Sequence, residues 1–201
     1  MNLQDAPAAL SIFFITLGIS LYTMFGNQSW YDKLLLSPYK FVHENKWYTL
    51  LTSGFIHADT FHLFFNMMTF YFFAFRIEET VGSIEFLIIY LGSIVFSDIS
   101  SILKNKNNPD YRSLGASGGI AGILFSYILF YPSSKISIMF IPIGIPAPIF
   151  AVLYLAYCYY ASKNAQDYIN HEAHLWGALS GLVLTAILIP NSILYFIKFI
   201  L

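Results

Sequence analysis

Two polar side chains that could do chemistry stand out in an otherwise apolar chain. One is Ser117, in Gly115-Ala116-Ser117-Gly118-Gly119; the other is His174, in Ala173-His174-Leu175-Trp176-Gly177. A histidine beside a serine is the smallest unit that activates a hydroxyl nucleophile: the imidazole takes the proton and later returns it to a leaving amine. The glycine-rich run opens a helix, so free backbone N–H groups lie near Ser117 and could stabilise an oxyanion. The plainer role for that serine is an N-cap. Gly118 and Gly122 form a small-residue face that admits a close neighbour, and Gly177 and Gly181 follow His174 on one helical face. If the two glycine faces pack on each other, Ser117 and His174 meet.

A third cluster is His57, His62 and Asn66. His62 and Asn66 are four residues apart and share a helix face, whereas His57, near the loop end, reads as a hydrogen-bonding partner of a neighbouring helix. Metal chemistry fits poorly. His171-Glu172 begins an H-E-x-x-H string, but Leu175 stands where the second histidine is required. An all-imidazole site of His57, His62, His171 and His174 matches no standard spacing, so neither a metal nor another cofactor is expected. A single cysteine, Cys158, leaves no disulfide framework.

These residues must be positioned by a chain of 201 residues that is 57% hydrophobic and 10% charged. Soluble domains carry about 25% charged residues, so the composition excludes a water-covered globule and defines an all-α polytopic membrane protein. A net charge of −1 gives no basic footprint for nucleic acid. With about 20 apolar residues needed per span, six helices are expected near 7–26, 60–78, 84–102, 116–131, 146–162 and 171–189, in one domain over 1–201. Residues 27–59, with Trp30, Tyr31, Trp47 and Tyr48, read as a long interfacial loop, and Pro132–Pro148 as a tight turn. The tail 191–201 is too short to span. Polar groups inside such spans are costly and mark function by default.

Three separated motifs, in this order and placement, resemble the rhomboid family of intramembrane serine proteases: HxxxxHLxxNM at 57–67, GASGG at 115–119 and AHxxGxxxG at 173–181. The long loop and Glu78 followed by Gly82 are similar too, so the likeness covers roughly 40–185. The resemblance implies a six-transmembrane-helix bundle with a membrane-embedded loop between helices one and two. It implies Ser117 as nucleophile and His174 as general base without a third carboxylate. Glu172 lies two residues from His174 and points elsewhere, and no spacing ties Asp98 or Asp167 to it. His62 and Asn66, with the Ser117 N–H, would stabilise the oxyanion, and Gly115, Gly118, Gly122, Gly177 and Gly181 would serve helix packing.

The substrates implied are transmembrane proteins met within the bilayer, and the location a multi-pass protein of a bacterial plasma membrane. Oligomeric state leaves no trace. This chain departs from the family pattern at Ala121, where many members carry an aromatic residue stacked on the histidine; Trp176 or a phenylalanine of the second helix would have to hold the imidazole instead. It also has Trp47-Tyr48 where Trp-Arg is common, and His171 as extra polar bulk one turn from the base. Lys33, Lys40, Lys46, Lys104, Lys106, Arg112 and Lys163 against Arg76, Lys135 and Lys198 favour an outside N-terminus, while the resemblance implies an inside one, which we adopt. Two other functions compete: a non-catalytic rhomboid-like binder of membrane helices, and a small transporter. Retention of Ser117, His174, His62 and Asn66 argues against the first, and the lack of an internal repeat against the second.

Overall fold

The computed structural model describes residues 5–137, 143–167 and 169–201. Helix α1 (Pro7–Leu21) starts on a proline, whose fixed φ and missing N–H suit a first turn, and runs on into a π-helical turn, Tyr22–Gly26. Later come α5 (Thr60–Val81), α6 (Ser83–Asn105), α7 (Ser117–Phe130), α8 (Ala147–Asn164) and α9 (His171–Leu188). A helix therefore occupies each of the six segments read from hydropathy. By length and composition, α1 with its π turn and α6 could each cross a membrane alone; α9 with α10 (Asn191–Ile200), bent by 111°, makes a third if the pair is one broken span.

Outward faces carry Phe14, Phe25, Phe61, Phe72, Val152 and Ile187, all exposed, as expected where lipid is the solvent. Helix α7 is the opposite case, apolar on every side and buried from Gly118 through Ser126. It packs most heavily on α9 and α6, and forms the centre of the molecule. Its 14 residues rise about 21 Å, short of the roughly 30 Å hydrocarbon layer. A buried helix of that length begins or ends beneath the membrane surface, which bears directly on Ser117, its first residue.

Residues 27–59, read as a long interfacial loop, hold a series of short helices, α2 (Ser29–Leu34), α3 (Pro38–His43) and α4 (Thr49–Thr52), ending in a 3-10 turn, Ser53–Phe55. This segment is tied to the chain before α7 by a two-bond bridge between Leu36 and Ser113, at 3.0 and 2.9 Å. In the stretch read as a tight turn, strands β1 (Lys135–Ser137) and β2 (Gly144–Pro146) pair antiparallel, with Ile136 opposite Ile145, and the part of that reading at 138–142 lies outside the described residues. The proline and glycine content suggested a turn, while the ladder depends on a register that composition does not encode.

The N-cap residue of α1, Ala6, makes no side-chain cap bond. Glu78, buried near the end of α5, supplies one: its carboxylate accepts the Ala8 N–H at 2.9 Å, the Ala9 N–H at 2.5 Å and the Ser83 hydroxyl at 2.5 Å. A carboxylate at a helix N-terminus gains from charge-assisted bonds and from the helix dipole. Glu78→Ala strands these donors and should lower stability by about 3 kcal/mol, read as an earlier midpoint in an SDS unfolding titration of the micellar protein. An unchanged midpoint would show that α1 is held by packing alone.

Candidate active site

Helices α7 and α9 meet along a seam of small residues. A Cβ on Gly177 would strike the backbone of Gly118, and one on Gly181 the backbone of Gly122. One turn further, Ser126 Oγ and Thr185 Oγ1 share a hydrogen bond of 2.6 Å. The partners advance by four residues in both helices, so α7 and α9 run parallel in constant register. Ser117 precedes Gly118 by one residue, and His174 precedes Gly177 by three. At about 1.5 Å per residue their levels differ by roughly 3 Å. On its other side α7 touches α6: a Cβ on Gly118 would meet Ser97, and one on Gly122 would meet Ser93.

Ser117, half-buried, is the first residue of α7, with Ala116 at the cap position. The helical ladder begins with the Ile120 N–H bonding to Ala116 O at 3.0 Å, so the N–H groups of Ser117, Gly118 and Gly119 precede it. Gly115 does not belong to the packing seam with which the sequence grouped it. Its φ of +117° is a conformation that L side chains rarely adopt, and a Cβ there would lie 2.7 Å from His62 Cε1. The glycine thus lets the His62 imidazole rest against the strand of chain that enters α7.

Three fixtures hold that chain. The Gly115 N–H donates to Ser53 O at 2.9 Å, and Ser53 Oγ donates to the buried Asp98 of α6 at 2.9 Å. The Ala116 N–H donates to His57 Nε2 at 3.4 Å. Because Nε2 accepts, the proton of neutral His57 sits on Nδ1 and donates to Ser20 Oγ at 2.9 Å, whose own proton goes to Phe55 O at 3.0 Å. His57 does bond a neighbouring helix, as its sequence position suggested, and it also anchors the residue before Ser117. Its carbonyl accepts the Tyr31 hydroxyl.

His62 lies in the first turn of α5, fixed by Asp59, which N-caps the helix by accepting the His62 N–H at 2.8 Å. The His57 and His62 rings meet edge to face at 4.9 Å. Asn66, buried one turn on, donates one amide hydrogen to His62 O at 2.9 Å, and the other has no partner among the described residues. Asn170 was not singled out in the sequence. It N-caps α9 by accepting the Ala173 N–H at 3.0 Å, while its Nδ2 faces Ser101 Oγ, Tyr111 OH and Ser113 Oγ at 3.0, 3.0 and 3.3 Å. One amide so joins α6, the chain before α7 and the start of α9.

Two other polar side chains of this first turn of α9 have partners of their own. Glu172 pairs with Lys104 at 2.7 Å, and His171 Nε2 meets the Asp167 carboxylate at 3.1 and 3.2 Å. Trp176 is exposed rather than set against the His174 ring. Ala121 belongs to a separate apolar cluster with Ala178 and Phe150. Among the described residues, no three His, Cys, Asp or Glu side chains converge as metal ligands.

A family model for the rhomboid domain matches residues 44–191 of the chain. The chain belongs to the rhomboid family. It is 29% identical over 153 residues to a Bacillus subtilis (strain 168) protein named "Putative rhomboid protease YdcA", covering 75% of this chain and 72% of that protein. It is 30% identical over 135 residues to the human "Presenilin-associated rhomboid-like protein, mitochondrial", covering 66% of this chain but 36% of the relative. The Arabidopsis thaliana "RHOMBOID-like protein 12, mitochondrial" is 26% identical over 193 residues, 88% of this chain and 57% of the relative. The protein is an integral membrane member of this family.

Proposed function

We propose that the protein is an intramembrane serine endopeptidase that cleaves transmembrane segments with a Ser117–His174 dyad. The observation that supports this reading is the parallel α7–α9 glycine seam, from whose register positions 117 and 174 differ by about 3 Å along the helices. Side chains and N–H groups of the first turn of α9 are bonded to Ile169, Asn170, Asp167 and Lys104. No hydrogen bond joins Ser117 to His174 among the described residues, so in this reading the bond forms as substrate binds, as catalytic bonds commonly do. Ser117 Oγ attacks the scissile carbonyl as His174 takes its proton, forming a tetrahedral oxyanion. His174 returns the proton to the departing amine, leaving an acyl-enzyme. Water, deprotonated by His174, then releases the acid and restores the serine.

The oxyanion would be met by the Ser117 N–H, the second amide hydrogen of Asn66 and His62. Losing one such donor is worth up to about 10³-fold in rate, so Asn66→Ala should lower kcat substantially without abolishing it. This is checked by steady-state cleavage of a single-span substrate in proteoliposomes. Wild-type kcat in Asn66→Ala would remove Asn66 from the oxyanion role.

A shallow start to α7 beneath the bilayer surface gives the hydrolytic water a short path from the side that carries the α7 and α9 N-termini, which we take as the outside of a plasma membrane. A substrate helix hides its carbonyls in its own hydrogen bonds, so small or helix-breaking residues at the cleavage site favour reaction. Lateral access near α8 is supported by that helix's exposure, with only Ala147, Phe150, Cys158 and Ala161 buried. A panel of single-span substrates reconstituted with the protein tests the reading: Ser117-dependent products support it, and none from any substrate would refute it.

A further inference from the structure

The aromatic contacts of the described residues give His174 one partner, and it is neither Trp176 nor a phenylalanine of α5. It is His171, whose ring centroid lies 6.2 Å away at 79°, an edge-to-face arrangement. His171 is itself buried and held on two more sides. Tyr157 of α8 meets its ring at 5.4 Å and 89°, and Asp167, in the connection between α8 and α9, accepts its Nε2–H at 3.1 and 3.2 Å. His171 Nδ1 is buried and makes no hydrogen bond among the described residues, so Asp167 is the only polar group fixing the ring's rotation. Asp167 also accepts the Ile169 N–H at 2.9 Å. These two bonds, the imidazole first, hold its carboxyl below the usual carboxylate range and keep it an acceptor.

We propose that His171, tethered by Asp167, is a positioning residue that holds the His174 imidazole in its reactive orientation. The inference rests on the Ser117–His174 reading and gives it a feature with a distinct signature. The ring reaches no reacting atom; it limits the rotation of one that does. Side chains at i and i+3 share a helix face, so the contact is built into the first turn of α9. A tether anchored outside the helix is what distinguishes this arrangement from ordinary packing. Asp167 is 44% exposed and its bond to His171 contributes little to stability, yet its loss frees the ring against His174.

The test compares wild type, His171→Ala, His171→Phe and Asp167→Ala in detergent micelles, measuring kcat and KM on a single-span substrate, the rate of fluorophosphonate labelling at Ser117, and the SDS unfolding midpoint. His171→Ala should lower kcat and labelling rate about tenfold with KM within twofold of wild type, because reactivity falls while binding does not. His171→Phe keeps a ring of similar reach but loses the Asp167 tether, so it should fall between wild type and His171→Ala, close to Asp167→Ala. Asp167→Ala should slow both several-fold at an unchanged midpoint, which a space-filling role for His171 would not produce. Wild-type labelling and kcat in Asp167→Ala and His171→Ala overturn the inference and leave the dyad standing. Failure of the wild-type protein to label at Ser117 overturns the dyad itself. If His171→Ala does not fold, Asp167→Ala and His171→Phe decide the matter alone.

Discussion

Ser117→Ala and His174→Ala should each reduce cleavage by about 10⁴-fold or more, to the background of the assay, with little loss of folded protein. The size follows from the shared mechanism. Without the hydroxyl there is no acyl-enzyme, and without the imidazole the hydroxyl keeps its proton and the amine leaves unprotonated. Members of such a unit are non-additive, so the double variant should be no slower than either single one. Neither side chain is fully buried and neither carries the α7–α9 seam, which is why stability should change little. Product formation by purified variants in proteoliposomes, with unfolding midpoints measured alongside, checks both statements. Substantial cleavage by well-folded Ser117→Ala would place the nucleophile elsewhere.

Gly177→Val should damage both stability and activity. A single Cβ at this position already meets the Gly118 carbonyl and Cα, which are backbone atoms that cannot rotate away, so the two helices must separate. Overpacking of this kind costs about 2–4 kcal/mol. The separation falls one turn from His174 and one residue from Ser117. A displacement near 1 Å at reacting groups costs about 10²-fold in rate, so kcat should fall by at least that much even in the fraction that remains folded. Gly92→Val, on α6, is the control: its Cβ would meet only a Leu184 methyl, the flexible end of a side chain. Equal effects from the two substitutions would mean that the α7–α9 seam has no special part in setting the site.

The sequence made the seam visible because glycines four apart in two apolar segments have few other uses, and His62 with Asn66 because polar groups four apart in a span must share a face. It did not show Ser93 and Ser97, which complete the packing of α7 on its α6 side, since serines four apart also serve as ordinary solvated positions. The short helices of 27–59 run four to six residues and are too brief to leave a periodic pattern. Asp59 and Asn170 were legible as helix caps had each been read against the apolar run that follows. The links from Asn170 to Ser101, Tyr111 and Ser113 were not, because they join positions 57 to 69 residues apart. His171 looked like surplus bulk; only the tertiary placement of Asp167, Tyr157 and His174 around it gives it a role.

The most direct measurement of the central claim is the site and dependence of a covalent adduct. The purified protein in micelles is treated with a fluorophosphonate, digested, and the modified peptide sequenced by mass spectrometry. The account predicts one phosphonylated residue, Ser117, with labelling lost in His174→Ala. An adduct at another serine, or full Ser117 labelling without His174, would contradict it.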